Sequence, residues 1–143
     1  MKAKVLVVLS LVFMLFGCAT VYRSPGAENV LVESFGVLEN NNPMTTNIIE
    51  VDGKHRGVGW FSRYELAPGE HTVMVSLYVG IGARGESPTI GFKVVAGEVY
   101  ELLHDRKETH QGGLVITQWQ PYIINKRTRE RVDFAVQKPK NQQ

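Results

Sequence analysis

The stretch from His71 to Val79, HTVMVSLYV, alternates apolar and polar side chains with a period of two. The residues on one face are all large and apolar: Val73, Val75, Leu77 and Val79. Successive side chains of a β-strand point to opposite faces, so this pattern is typical of a strand with one buried face, and it does not fit the 3.6-residue period of a helix. The stretch therefore predicts a sheet that covers a hydrophobic core.

Similar runs of β-branched and aromatic residues recur along the chain, separated by Gly, Pro, Asn and Asp. They are NVLVESF, NIIEVDG, TIGFKVV, VYELLHD, LVITQWQPYII and RVDFAV. Pro121 cannot donate to a central ladder, so the strand that contains it is expected at a sheet edge or bulge. Some seven or eight short strands in about 110 residues predict an all-β fold, a single β-sandwich of the immunoglobulin-like kind at residues 30–136.

The N-terminal segment has a different character. Lys2 and Lys4 precede an apolar run from Val5 to Phe16 that only Ser10 interrupts. A helix of this length would span roughly 18 Å, whereas a bilayer core needs about 30 Å. Residues 1–17 are therefore interpreted as a secretory signal peptide.

The segment ends in Leu15-Phe16-Gly17-Cys18, and Cys18 is the only cysteine of the chain. This sequence resembles the bacterial lipobox, which has Leu, a variable residue, a small residue and then Cys. The resemblance implies that the Cys18 thiol takes a diacylglycerol, that the chain is cut before it and that the new N-terminus is acylated. Two or three acyl chains give firm membrane anchoring. The alternative is an ordinary signal peptide, or an N-terminal anchor, with an incidental cysteine.

The lipobox interpretation also affects how the flanking segments, the net charge and the location of the protein are interpreted. Residues 18–29 are polar and predict a lipidated tether, and residues 137–143 predict a disordered tail. Without Lys2 and Lys4 the chain carries 14 basic and 14 acidic residues, so charge gives no reason to expect a nucleic acid partner. In enterobacterial sorting an Asp after the acylated Cys retains a lipoprotein in the inner membrane. Ala19 and Thr20 follow here, which by that resemblance implies the outer membrane, facing the periplasm, with the inner membrane and the cell surface less favoured.

Three turn sequences carry a second resemblance. VDGK, LAPGEHTV and GFKVVAGEVYEL are similar to PEGA-type surface domains and to a group of small bacterial lipoproteins of unknown function. RGVGWFSR, where PEGA repeats often carry Gly-x-Thr-Pro, favours the lipoprotein group. The resemblance implies an all-β envelope domain with no catalytic residues. The positions that carry it are Asp52, Gly53, Pro68, Gly69, His71, Val73, Gly97 and Tyr100.

No motif in the sequence predicts catalysis, a cofactor or a metal. GIGARG, at residues 80–85, spells GxGxxG, but a dinucleotide site needs a helix after it, and ESPTIGFKVV predicts another strand. The four histidines match no familiar zinc-ligand spacing, and HDRKETHQGG is interpreted as a solvated loop. Pro68 and Gly69 predict either a hairpin-like or another tight connection between two strands, in which Gly69 takes a positive φ.

Two sets of side chains are candidates for partner or ligand contact. The first is aromatic, with Trp60, Arg63 and Trp119, because exposed aromatics beside Arg mark interfaces. The second is the basic run Asn125–Arg131, in which Lys126, Arg127 and Arg129 suit phosphates or carboxylates. Core filling is the alternative for the aromatics, and a charged turn that keeps a sheet edge soluble is the alternative for the basic run. We expect a non-catalytic binding or scaffolding protein of the cell envelope, or alternatively a peptidoglycan- or carbohydrate-binding module.

Overall fold

The computed structural model describes residues 21–25, 31–78, 87–111 and 114–136. These residues form strands and one short 3₁₀ turn at Val32–Ser34. The strands are β1 Val21–Arg23, β2 Gly36–Glu39, β3 Thr46–Val51, β4 Lys54–His55, β5 Arg63–Leu66, β6 Gly69–Leu77, β7 Thr89–Val94, β8 Val99–Gln111, β9 Leu114–Asn125 and β10 Asp133–Ala135.

The strands form two five-stranded sheets that pack face to face. The first has the order β1-β5-β2-β8-β9 and the second has the order β10-β7-β6-β3-β4. Pairing is antiparallel except between β1 and β5 and between β2 and β8. The predicted all-β sandwich is confirmed, and β9, which contains Pro121, lies at a sheet edge as its proline requires.

The core lies between the sheets, on the inward faces that the alternating pattern predicts. Val75 and Phe92 are 0% exposed and Val94 is 2% exposed, while Lys93 is exposed on the other face of its strand. Phe92 packs edge-on against Tyr100 with ring centroids 5.5 Å apart. The strand phases predicted for β6 and β7 are therefore confirmed.

Three expectations about connections and boundaries need correction. The connection at Ala67–Pro68 is tight, as predicted, but it is not a hairpin, because β5 and β6 belong to different sheets. Gly69 does take a positive φ of 138°. Residues 104–111 of the predicted loop HDRKETHQGG are instead the outer part of β8, which pairs with β9 along this length. Val21–Arg23, within the predicted tether, pair with β5, so the folded region begins before residue 30.

The register defines two ends of the sandwich. At the β1 end, Val21 lies beside Arg63 and Arg63 beside Glu39, so β1 and β5 begin where β2 finishes. The loop at residues 40–45 then leads into β3 at this end. At the opposite end, which we call the turn end, lie the β3–β4 turn at residues 52–53, the β5–β6 and β7–β8 connections, and the basic run Asn125–Arg131.

A two-stranded arm leaves the sandwich at the β1 end. Strand β2 pairs with β8 only from Val99 to Glu101, whereas the β8–β9 pairing continues to Gln111. The base of the arm is tied to the loop before β3, because the Thr46 hydroxyl and the His104 Nδ1 are 3.1 Å apart.

Candidate binding surface

The loop that connects β4 to β5 is held by a buried arginine. The Arg56 guanidinium donates to the Gly59 carbonyl oxygen at 2.6 Å, to the Asn47 Oδ1 at 2.5 Å and to the Ile48 carbonyl oxygen. Its other contact is the Phe61 ring, 4.8 Å from the guanidinium carbon. These bonds fix the loop against β3, so the exposed residues between Arg56 and Phe61 are presented on a rigid support.

Trp60 lines an open cleft of about 350 Å³ on this loop. Its side chain is 58% exposed and that of Val58 is fully exposed. The Asn47 amide oxygen faces Arg56, which turns its NH₂ group away as a donor. His55 Nδ1 accepts from the Gly57 amide at 3.1 Å, so the ring hydrogen of neutral His55 is on Nε2. The lining residues are Asn47, Ile49, His55, Arg56, Gly57, Val58, Gly59 and Trp60.

The neighbouring loops of the β1 end carry further exposed apolar side chains. Met44, in the loop before β3, is 69% exposed, and Tyr78, after β6, is 59% exposed. The Tyr78 amide donates to the Thr45 carbonyl oxygen at 2.7 Å, which joins these two segments. The sequences of the loops, NNNPMTT at 40–46 and GVGWFS at 57–62, contain no Asp, Glu, Lys or Arg. These two loops thus expose apolar side chains among polar, uncharged ones.

A cluster of three aromatic rings supports this surface from below. Tyr22 of β1 packs against Phe61 and Tyr64 at centroid distances of 5.9 and 5.5 Å, and Phe61 and Tyr64 are 6.2 Å apart. Burial raises the pKa of Tyr64 to about 12, against the opposing effect of the nearby Arg56 charge. The Tyr64 hydroxyl is buried without a hydrogen-bond partner in the described protein. The cluster joins β1 directly to the Trp60 loop.

Arg63 and Trp119, the other predicted contact residues, lie outside the cleft. Arg63 Nε is 3.4 Å from Glu65, whose carboxylate also binds Arg23 at 2.7 Å. Trp119 is half-buried on β9, packs against the core and contacts the His104 ring edge-on at 6.5 Å. The two tryptophans therefore do not share one groove, and for Trp119 the core-packing alternative fits better.

The basic run forms a turn in which each predicted contact residue has an acidic partner. Lys126 binds Glu39 at 2.7 Å. The turn itself is closed by the Asn125 Oδ1, which accepts from the amides of the two residues at positions 127 and 128. The remaining pairs are Arg127 with Glu98 at 2.5 Å, Arg129 with Glu101 at 3.4 Å, and Arg131 with Asp133 at 2.8 Å.

This pairing changes what the basic turn can do. The hydrogen bonds from Arg127 and Asn125 lower the pKa of Glu98, so the partner of Arg127 stays ionised at neutral pH. An anionic ligand would compete with these carboxylates for the cations. The arrangement fits the alternative of a charged, solvated turn better than an anion-binding patch.

His71 also has a local role. Its Nδ1 lies 2.8 Å from the Asp52 carboxylate and its Nε2 lies 2.7 Å from the Ala67 carbonyl oxygen. The second Asp52 oxygen accepts from the Thr72 amide, so Asp52 joins the β3–β4 turn to β6. In the part of the chain that the structure describes, no three His, Cys, Asp or Glu side chains are grouped as a metal site would need.

Four sequence predictions lie outside the described residues: the signal peptide at 1–17, the lipidation site Cys18, the glycine-rich stretch at 80–85 and the tail at 137–143. Among the residues described, no helix has the length and hydropathy to cross a bilayer. No family model matches the chain, and comparisons with curated proteins and with solved structures found nothing similar to it.

Sequence reasoning missed much of the apolar surface. Val58, Met44 and Tyr78 were not identified, although an isolated Val between two glycines, in GVGW, was a readable sign of an exposed apolar residue. The role of Arg56 had no sequence signal, because its partners are carbonyl groups that only the fold brings together.

Proposed function

We propose that this chain is a lipid-anchored protein of the cell envelope that acts by binding or scaffolding and not by catalysis. In this proposal Cys18 carries the acyl chains, and the sandwich faces the periplasm from the outer membrane. The membrane contact comes through the lipid, and the partners are envelope proteins or peptidoglycan.

The observation that carries the proposal is the position of β1. An ordered strand begins at Val21, three residues after the cysteine of the LFGC sequence. A compact domain that starts so close to the predicted acylation site is suited to a role at the membrane surface. The charged turn end and the apolar β1 end give that domain two chemically different surfaces.

Membrane fractionation with acyl labelling tests the anchor. Wild-type protein in its native host should take up a labelled fatty acid and fractionate with the membranes. Cys18→Ala should lose the label and accumulate as an unprocessed or soluble product. Unchanged labelling of the variant would overturn the proposal.

The exposed Trp60 supports a second candidate, a carbohydrate- or peptidoglycan-binding module. The weakly positive C–H groups of a sugar ring can pack on the negative face of an indole, and the Asn47 and His55 donors suit acetamido and hydroxyl oxygens. Pull-down on purified peptidoglycan tests this candidate. It predicts retention of the wild type and loss of retention for Trp60→Ala, with Trp119→Phe as the matched control.

A further inference from the structure

The large apolar side chains that remain exposed are concentrated at one end of the molecule. In the described part of the chain, five of them lie at the β1 end: Val21, Met44, Val58, Trp60 and Tyr78. The others, Leu31, Val95 and Phe134, lie on the turn end and on β10 at the edge of the second sheet. A set of exposed apolar residues at one end of a domain marks an interaction surface.

The predicted acylation site is close to the same end. Consecutive Cα atoms are about 3.8 Å apart, so the Cα of Cys18 lies within about 11 Å of the Cα of Val21. Val21 is the first residue of β1 and lies beside Arg63, which the Trp60 loop immediately precedes. If Cys18 is acylated, the short link holds the β1 end, and not the turn end, near the lipid headgroups.

We propose that the β1 end docks directly on the bilayer that holds the lipid anchor, with Val58, Trp60, Met44 and Tyr78 at the headgroup boundary. This inference rests on the proposed acylation of Cys18. Trp and Tyr favour that boundary because each combines an apolar ring with a polar group. The absence of charged residues from loops 40–46 and 57–62 removes the main cost of placing them there.

The charges of the rest of the molecule fit this orientation. The ion pair of Arg127 with Glu98 belongs to the turn end, which in this orientation points away from the bilayer. The β8–β9 arm also leaves at the β1 end, and Lys107 and His110 are among its exposed residues.

Fluorescence of a single tryptophan can locate the β1 end. The chain has two tryptophans, so Trp119→Phe leaves Trp60 as the only reporter. The lipidated full-length protein is reconstituted in vesicles of phosphatidylethanolamine and phosphatidylglycerol, with or without bromine on the acyl chains near the headgroup. The matched control moves the reporter to the turn end, by Val95→Trp in a chain that also carries Trp60→Phe and Trp119→Phe.

The proposal predicts a shift of Trp60 emission to shorter wavelength and quenching by brominated lipid at least about threefold stronger than for the Val95→Trp reporter. Val58→Asp, at a fully exposed position that folding does not need, should reduce this quenching. Equal quenching at the two ends would overturn the docking orientation. So would a Trp60 signal that ignores brominated lipid but responds to soluble peptidoglycan fragments, which would assign the cleft to sugar.

Flotation of the same vesicles separates this test from that of the anchor. Protein that floats with the vesicles while Trp60 stays unquenched contradicts the docking inference and leaves the anchor proposal standing. Protein that carries no acyl chain and does not float contradicts both.

Discussion

The two ends of the sandwich differ in how they place charged and apolar side chains. At the turn end the cations of the basic turn lie beside carboxylates, as Arg127 does beside Glu98. At the β1 end Arg56 is buried under the loop that carries it, and Trp60 and Val58 of the same loop face outward. A basic sequence run is therefore a poor guide to a binding surface when the fold supplies an acid to each base. An uncharged loop with an exposed Trp is the better candidate.

The two ends are held apart by the core between the sheets. Of the substitutions considered, Phe92→Ala should destabilise this core most. Phe92 is completely buried between the sheets, so its truncation should lower the free energy of unfolding by about 3–5 kcal/mol. Chemical denaturation of the full-length protein in detergent measures this. Lys93→Ala on the exposed face of the same strand is the control, and equal midpoints for the two variants would show that the core assignment is wrong.

Gly69→Val should strain the backbone of the connection between the two sheets and so destabilise the protein. A Cβ at this position would meet no atom within 4 Å, so the cost is backbone strain at a φ of 138° and not a clash. We expect a loss of roughly 1–3 kcal/mol by denaturation. Gly69→Ala should show a smaller loss of the same sign, since Ala is less restricted than a β-branched residue. An unchanged midpoint for both variants would contradict the strain argument.

Lowering the pH should destabilise the β1 end before it destabilises the core. The hydrogen bond from Arg23, with the help of Arg63, lowers the pKa of Glu65. A carboxyl group whose pKa is lowered on folding stabilises the protein above its unfolded pKa of about 4.3, and this contribution is lost as pH falls through the folded pKa.

Glu65→Gln should reproduce at neutral pH the loss that acid causes, with a cost of about 1–2 kcal/mol. Hydrogen exchange of the β1 and β5 amides as a function of pH measures both effects. Protection factors of these amides in the wild type, corrected for the slower intrinsic exchange at low pH, should fall between about pH 5 and pH 3, and unchanged protection factors would contradict the assignment.

Neutralising the basic turn should have the smallest effect. Its ion pairs are exposed, and such pairs contribute little to stability and are weakened by salt. The triple variant Lys126→Gln, Arg127→Gln, Arg129→Gln should keep its melting temperature and its association with envelope material. A loss of association in this variant, with Trp60→Ala unaffected, would reverse the comparison between the two ends.

The sandwich could be predicted from the sequence, whereas the candidate surface could not, and the reasons are physical. The alternation around Val75 and Phe92 reports burial locally, because each strand carries its own inward face. The exposure of Met44 and the burial of Arg56 depend on which loops the fold brings together, and no local pattern records this. At the β5–β6 connection, Pro68 and Gly69 predict a tight turn, but they do not predict to which sheet the next strand belongs.

Photo-crosslinking in intact cells tests the central claim, that the β1 end is the contact surface, most directly. A photoreactive amino acid replaces Trp60 in one protein and Arg127 in another, and adducts are identified after irradiation. The account predicts lipid adducts at position 60 and at most background at position 127. Abundant adducts with envelope proteins or peptidoglycan at position 127, with none at position 60, would contradict it.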